Sequence, residues 1–171
     1  FSANVDAAVD INGNTTITNC TFAQNLSTGI VIDTGTVTVS NSTFTQNGAG
    51  GISSDGTLTV ENSTFNANTN TQGGAISNTG TVTVTGSTFT GNTATSSSTT
   101  GLGGGAIYSN STAGPVSAAI SNSTFTGNGE VGGSGGGGAV RNRSGSMNIS
   151  NSTFTNNEAV RGGGAIQGGG V

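Results

Sequence analysis

Ser42-Thr43-Phe44-Thr45-Gln46-Asn47 decides the fold of this chain, because the stretch is one copy of many. The pattern Ser-Thr-Phe-Thr-x-Asn returns at Ser87 to Asn92, Ser123 to Asn128 and Ser152 to Asn157, with looser copies at Cys20 to Asn25 and Ser63 to Asn68. The chain opens on the tail of another copy, from Phe1 to Asn4. All 7 phenylalanines of the 171 residues therefore stand in one Phe-x-x-Asn motif. The pairs are Phe1 with Asn4, Phe22 with Asn25, Phe44 with Asn47, Phe65 with Asn68, Phe89 with Asn92, Phe125 with Asn128 and Phe154 with Asn157. Successive rings are separated by 21, 22, 21, 24, 36 and 29 residues. Such a period marks a stacked repeat in which each unit buries its apolar face only against its neighbours.

Ahead of the motif runs a stretch of period two: Thr36-Val37-Thr38-Val39, Thr57-Leu58-Thr59-Val60 and Thr81-Val82-Thr83-Val84. Ser117-Ala118-Ala119-Ile120 and Ser146-Met147-Asn148-Ile149 are weaker copies. Alternation of apolar and hydroxyl residues predicts a half-buried strand with Val inward and Thr outward. Thr88-Phe89-Thr90 and its counterparts predict a second short strand with the ring inside. Asn19, Asn41, Asn62, Asn122 and Asn151 fall at the bend between the two, and Gly86 interrupts that row. Asn suits a bend because it tolerates unusual backbone angles, and its amide can bond local backbone or the next Asn of a stack.

A glycine-rich step follows each Phe-x-x-Asn. Its copies are Gly73-Gly74-Ala75-Ile76, Gly104-Gly105-Ala106-Ile107, Gly137-Gly138-Ala139-Val140 and Gly163-Gly164-Ala165-Ile166, with Gly50-Gly51-Ile52 and Ala7-Ala8-Val9 as degenerate forms. Glycine permits positive φ and close backbone approach, so this step reads as a tight corner feeding a third strand. Three strands and three corners per coil predict an all-β solenoid of about seven coils, 21–36 residues each, stacked through parallel hydrogen bonds. Equivalent positions then form columns of Phe, aliphatic and Asn side chains.

Composition agrees with so narrow a core. Only 30% of residues are hydrophobic and 6% are charged, yet the net charge of −4 is too small for a chain kept unfolded by self-repulsion. Three cationic residues exclude a nucleic-acid footprint and a membrane-surface helix, and no apolar run reaches spanning length. Cys20 stands where the next coil has Ser42 and has no partner in the chain, so it reads as a small serine-like residue. Residues 1–171 form a single array, expected to be uncapped at both ends and to belong to a longer protein or to stack end to end with further copies. Corner insertions are expected near 93–102, 108–116 and 129–136.

The alternation of Phe-x-x-Asn with Gly-Gly-Ala-Ile/Val over a Ser/Thr/Gly-rich chain resembles the repeats of the chlamydial polymorphic outer-membrane proteins and related prokaryotic surface proteins. The resemblance implies a right-handed parallel β-helix displayed outside the cell, anchored at the outer membrane or secreted, often as an adhesin. It implies no shared catalytic residues and no cofactor.

Parallel β-helices also serve as polysaccharide lyases and hydrolases, which need facing carboxylates or a base beside an acidic metal site. The acids are Asp6, Asp10, Asp33, Asp55, Glu61, Glu130 and Glu158, and only Asp33 and Asp55 fall near the same corner of adjacent coils. They read as solvated turn residues, with calcium binding as the sharper alternative. Arg141, Arg143 and Arg161 lie far along the array, and His and Lys are absent from the sequence. No catalytic, metal or cofactor site is expected. The Thr-x-Thr arrays at 36/38, 57/59 and 81/83, and at 43/45, 88/90, 124/126 and 153/155, resemble the ice-contacting faces of β-solenoid antifreeze proteins, although Thr is also a preferred exposed strand residue. Asn110 is the expected glycosylation acceptor. The expectation is thus a non-catalytic extracellular structural or adhesive solenoid whose partners are a cell surface, glycans or copies of itself. The alternatives are a carbohydrate-active helix with its catalytic part elsewhere, and an ice-binding surface.

Overall fold

The computed structural model of the chain describes residues 1–96, 103–110, 117–132 and 136–168. Its strands build three tall parallel sheets. An isoleucine sheet stacks Val9–Asn12, Ile30–Thr34, Ile52–Ser54, Ile76–Asn78, Ile107–Ser109, Val140–Asn142 and Ile166–Gly168. A valine sheet stacks Thr15–Thr18, Thr36–Ser40, Thr57–Glu61, Thr81–Thr85, Ser117–Ser121 and Ser146–Ser150. A phenylalanine sheet stacks Thr21–Ala23, Thr43–Thr45, Thr64–Asn66, Thr88–Thr90, Thr124–Thr126 and Thr153–Thr155. Every strand pairs in parallel with its counterpart one coil away, so the all-β chain winds as a parallel β-helix, as the repeat predicts.

Register follows from burial. Val37, Leu58 and Val82 share one inner column of the valine sheet, and Val39, Val60 and Val84 the next; all are fully buried, with Thr38, Thr59 and Thr83 outside. A slip of one residue would turn this whole apolar set outward, which is why a two-residue alternation fixes the pairing. The isoleucine sheet adds Ile30, Ile52, Ile76, Ile107 and Val140 from the facing side.

Two corners per coil need left-handed backbone. Asn19, Asn41, Asn62, Asn122 and Asn151 have φ of 47–55°, and Gly86 takes the same place at 60°. The residue two after each Phe is left-handed too, though it is Ala3, Gln24, Gln46, Ala67, Gly91, Gly127 or Asn156. A serine row ties down the first corner. Ser42 Oγ donates to Ser40 O at 2.8 Å and accepts from Cys20 N–H at 3.1 Å, and Ser63, Ser87 and Ser123 repeat this arrangement coil after coil. Cys20 takes the donor half of that role, its thiol pointing to Thr18 O at 3.4 Å.

The glycine step works mainly by close approach. A Cβ on Gly105 would lie 2.0 Å from Gly138 O, and one on Gly138 would lie 1.9 Å from Gly164 O. Of the four Gly-Gly-Ala copies only Gly73 has left-handed φ, at 66°. The later coils carry additional short strands: Thr69–Asn70, Thr93–Ala94, Gly129–Glu130 and Glu158–Ala159 form one small sheet, and Gly136–Gly137 with Gly162–Gly163 another. Residues 93–94, 108–109, 129–130 and 136 are therefore ladder-paired strand residues and not insertion loops. Of the rest of the three expected insertions, 97–102, 111–116 and 133–135 lie outside the described residues.

Candidate functional site

The Phe column is continuous. Rings of Phe1, Phe22, Phe44, Phe65, Phe89, Phe125 and Phe154 stack with centroids 4.6–5.0 Å apart and planes within 6°. The five central rings are fully buried, Phe154 is partly buried against the core, and Phe1 is exposed. Beside it runs an amide ladder through Asn4, Asn25, Asn47, Asn68, Asn92, Asn128 and Asn157. Each Nδ2 donates to the Oδ1 of the next coil at 2.7–3.0 Å. From Asn47 onward, each Nδ2 also donates to the carbonyl of the preceding coil's Phe, as Asn68 does to Phe44 O at 3.0 Å. These asparagines carry the stack. The bend-row asparagines contribute their left-handed backbone, and their side chains make no such bond among the described residues.

Outward residues divide by sheet. On the phenylalanine sheet Thr21, Thr43, Thr64, Thr88, Thr124 and Thr153 occupy one unbroken column. The parallel column reads Ala23, Thr45, Asn66, Thr90, Thr126 and Thr155. On the valine sheet the run Thr16, Thr38, Thr59, Thr83 ends at Ala119 and Asn148. Irregular coil lengths leave the phenylalanine sheet undisturbed, because the extra residues enter between the Asn ladder and the isoleucine sheet and, in the longest coil, between Ile107–Ser109 and Ser117–Ser121.

Asp33 and Asp55 do fall at one corner of adjacent coils, directly after the paired Ile32 and Ser54. Both are exposed, and Asp55 Oδ1 accepts from Thr79 Oγ at 2.6 Å. Among the described residues no three His, Cys, Asp or Glu side chains converge as a metal cluster. Asp6, Asp10, Glu61, Glu158, Arg143 and Arg161 are exposed, and Arg141 is half-buried. Burial pushes the Arg141 guanidinium below its ordinary value, Tyr108 opposes that shift and the Arg143 charge adds to it. Asn110 sits at the corner directly after Ile107–Ser109, half-buried, its Oδ1 accepting from Ser144 Oγ at 3.2 Å.

Three features carry no sequence signal. Tyr108 occupies an outward position, paired with Ser77 and Arg141, yet is only 1% exposed. Glu130 is 2% exposed, and neither carboxylate oxygen has a hydrogen-bond partner among the described residues. It stands in a column where neighbouring coils have Ala94 and Ala159, and a Cβ on Gly103 or Gly136 would strike its Cγ. The third is an inner column of the isoleucine sheet that begins with Ile11 and Ile32 and then turns polar, through Ser54, Asn78, Ser109 and Asn142.

The fold and its inward columns define a repeat solenoid. A family model described as the right-handed beta helix region matches residues 7–170, and the chain belongs to that family. Neither a curated protein nor a solved structure matches it.

Proposed function

We propose that this chain is a non-catalytic structural and adhesive solenoid of a prokaryotic cell surface, akin to the repeats of the chlamydial polymorphic outer-membrane proteins. The observation that carries this reading is the division of labour across the strands. Inward positions hold the Phe and Asn columns, while the outward positions of the phenylalanine sheet present a tall, uncharged, hydroxyl-rich face. A rod of this kind holds binding surfaces at fixed spacing away from a cell. Its hydroxyls and amides suit neutral glycans or a neighbouring cell surface, and no cofactor is needed. The test is a glycan microarray, followed by adhesion of cells displaying the chain. Retention of glycans without cleavage supports the reading, whereas release of reducing sugar by the protein supports a carbohydrate-active helix and sinks it.

The unbroken threonine column from Thr21 to Thr153 favours a second reading, an ice-contacting face. Thermal hysteresis that disappears in Thr88→Lys, with folding retained, would establish that reading; growth of unshaped ice crystals at high protein concentration refutes it.

A further inference from the structure

The polar inner column of the isoleucine sheet differs from every other column of the molecule. Ser54, Asn78, Ser109 and Asn142 are strand partners in four successive coils and are at most 3% exposed. Ser54 Oγ, Asn78 Oδ1, Ser109 Oγ and Asn142 Oδ1 are each buried without a hydrogen-bond partner among the described residues. Both amides are fixed from the other edge, since Asn78 Nδ2 donates to Gly80 O at 2.7 Å and Asn142 Nδ2 to Gly145 O at 2.9 Å. Their oxygens are thereby held in place, aligned with the serine hydroxyls above and below.

Repeat geometry explains why these groups do not bond to one another. Coils lie 4.6–5.0 Å apart, as the Phe rings measure. An asparagine meets its copy across that gap because an amide carries a donor and an acceptor on separate atoms, as the ladder shows. A hydroxyl has a single heavy atom, and a direct O–H···O bond is best at about 2.5–3.0 Å. Outward hydroxyls of adjacent coils, Thr18 with Ser40 and Thr85 with Ser121, lean together only as far as 3.2 Å, whereas the inner ones make no such contact. A water accepting or donating two bonds of about 2.8 Å at a tetrahedral angle spans roughly 4.6 Å, which matches the repeat. Side-chain volume falls at alternate coils, since the position filled by Ile32 is taken by the smaller Ser54 and Ser109.

We propose that this column binds a single file of water molecules, one in each interval between Ser54, Asn78, Ser109 and Asn142. Each water donates to an Asn Oδ1 on one side and shares a bond with a Ser hydroxyl on the other, so every orphaned oxygen gains a partner. Buried water in proteins takes this role, satisfying polar groups that the chain itself leaves unpaired.

Water–protein cross-relaxation on the isotope-labelled 171-residue chain tests the proposal. The side-chain amide protons of Asn78 and Asn142 should show the cross-peak sign of water resident for longer than nanoseconds. In Ser109→Ile, which copies Ile32, the Asn142 signal should vanish while the Asn78 signal persists through the Ser54 interval. Purely surface-type exchange at both amides in the unaltered protein overturns the proposal without recourse to a variant. So does crystallographic density that places Ser109 Oγ in direct contact with Asn142 Oδ1, or anomalous density showing a rubidium-replaceable cation in the file.

Discussion

Phe65→Ala tests the stack at its centre. The ring is fully buried and lies between Phe44 at 4.6 Å and Phe89 at 4.8 Å, so truncation removes contacts on both faces at once. Truncating a buried Phe costs about 3–5 kcal/mol, and the loss of two aromatic pairs, each worth about 0.5–1.5 kcal/mol beyond area burial, places Phe65 in the upper part of that range. The rigid ladder on either side of residue 65 hinders collapse of the cavity, so roughly 4–5 kcal/mol is expected here. For a chain of this size each kcal/mol moves the midpoint by about 2–4 °C, giving a drop of roughly 8–20 °C. Thr59→Ala, on the outer face one strand earlier, should move it by about 2 °C at most. Thermal unfolding followed by circular dichroism reads both. A double-mutant cycle sharpens the test: Phe65 and Phe89 touch and should couple, whereas Phe22 and Phe125, four coils apart, should add. Equal shifts for Phe65→Ala and Thr59→Ala, or additivity of the touching pair, would refute the column.

Asn68→Ala deprives the Asn47 N–H and amide and Phe44 O of partners, removes one of the two donors to Asn92 Oδ1, and should cost about 3 kcal/mol or more; Asn68→Asp should be worse at neutral pH and recover as acid protonates the buried carboxylate, read by unfolding at two pH values. Gly105→Ala drives a Cβ to 2.0 Å from Gly138 O and should prevent native folding, whereas Gly91→Ala meets nothing within 4 Å and should cost about 1–2 kcal/mol, since Ala67 already adopts that conformation one coil earlier. Cys20→Ser should hold or slightly raise the melting temperature, because a hydroxyl reproduces the bond that Ser42 makes to Ser40 O; a clear loss of stability would show that the thiol packs in a way serine cannot.

What was legible in the sequence is what had to be repeated. Identical side chains at a fixed period are required wherever a column works by like meeting like: rings on rings, amides on amides, glycine against the carbonyl of the next coil. Phe-x-x-Asn and Gly-Gly-Ala therefore announce fold, register and core together. The second left-handed corner was hidden, because tertiary pairing forces Ala3, Gln24 and Ala67 into a conformation their own preferences oppose. Tyr108 and Glu130 were hidden for the complementary reason: each stands once, in the elongated coils, where burial is set by residues without a period.

The Ser54–Asn78–Ser109–Asn142 column lies between these cases, and it shows what periodicity can and cannot encode. Four different coils place a small polar residue at one inner position, but alternation of Ser and Asn over intervals of 24, 31 and 33 residues escapes a search for identical motifs. The amide ladder demands sameness because each side chain is both donor to one neighbour and acceptor from the other. A column bridged by water needs only an oxygen at each level, since the water adapts its donors and acceptors to whatever it meets. Sequence identity is thus preserved where protein bonds protein and relaxed where solvent intervenes. The same reasoning applies outside, where Thr, Asn and Ala replace one another in the column from Ala23 to Thr155 and from Thr16 to Asn148. The outer column from Thr21 to Thr153 alone keeps one residue type through six coils without a partner bond to enforce it. Strand propensity favours Thr at every such site equally, so propensity by itself predicts the same variation there as on its neighbours. The uniformity of that one column is the reason to direct binding experiments at the phenylalanine sheet before the other two.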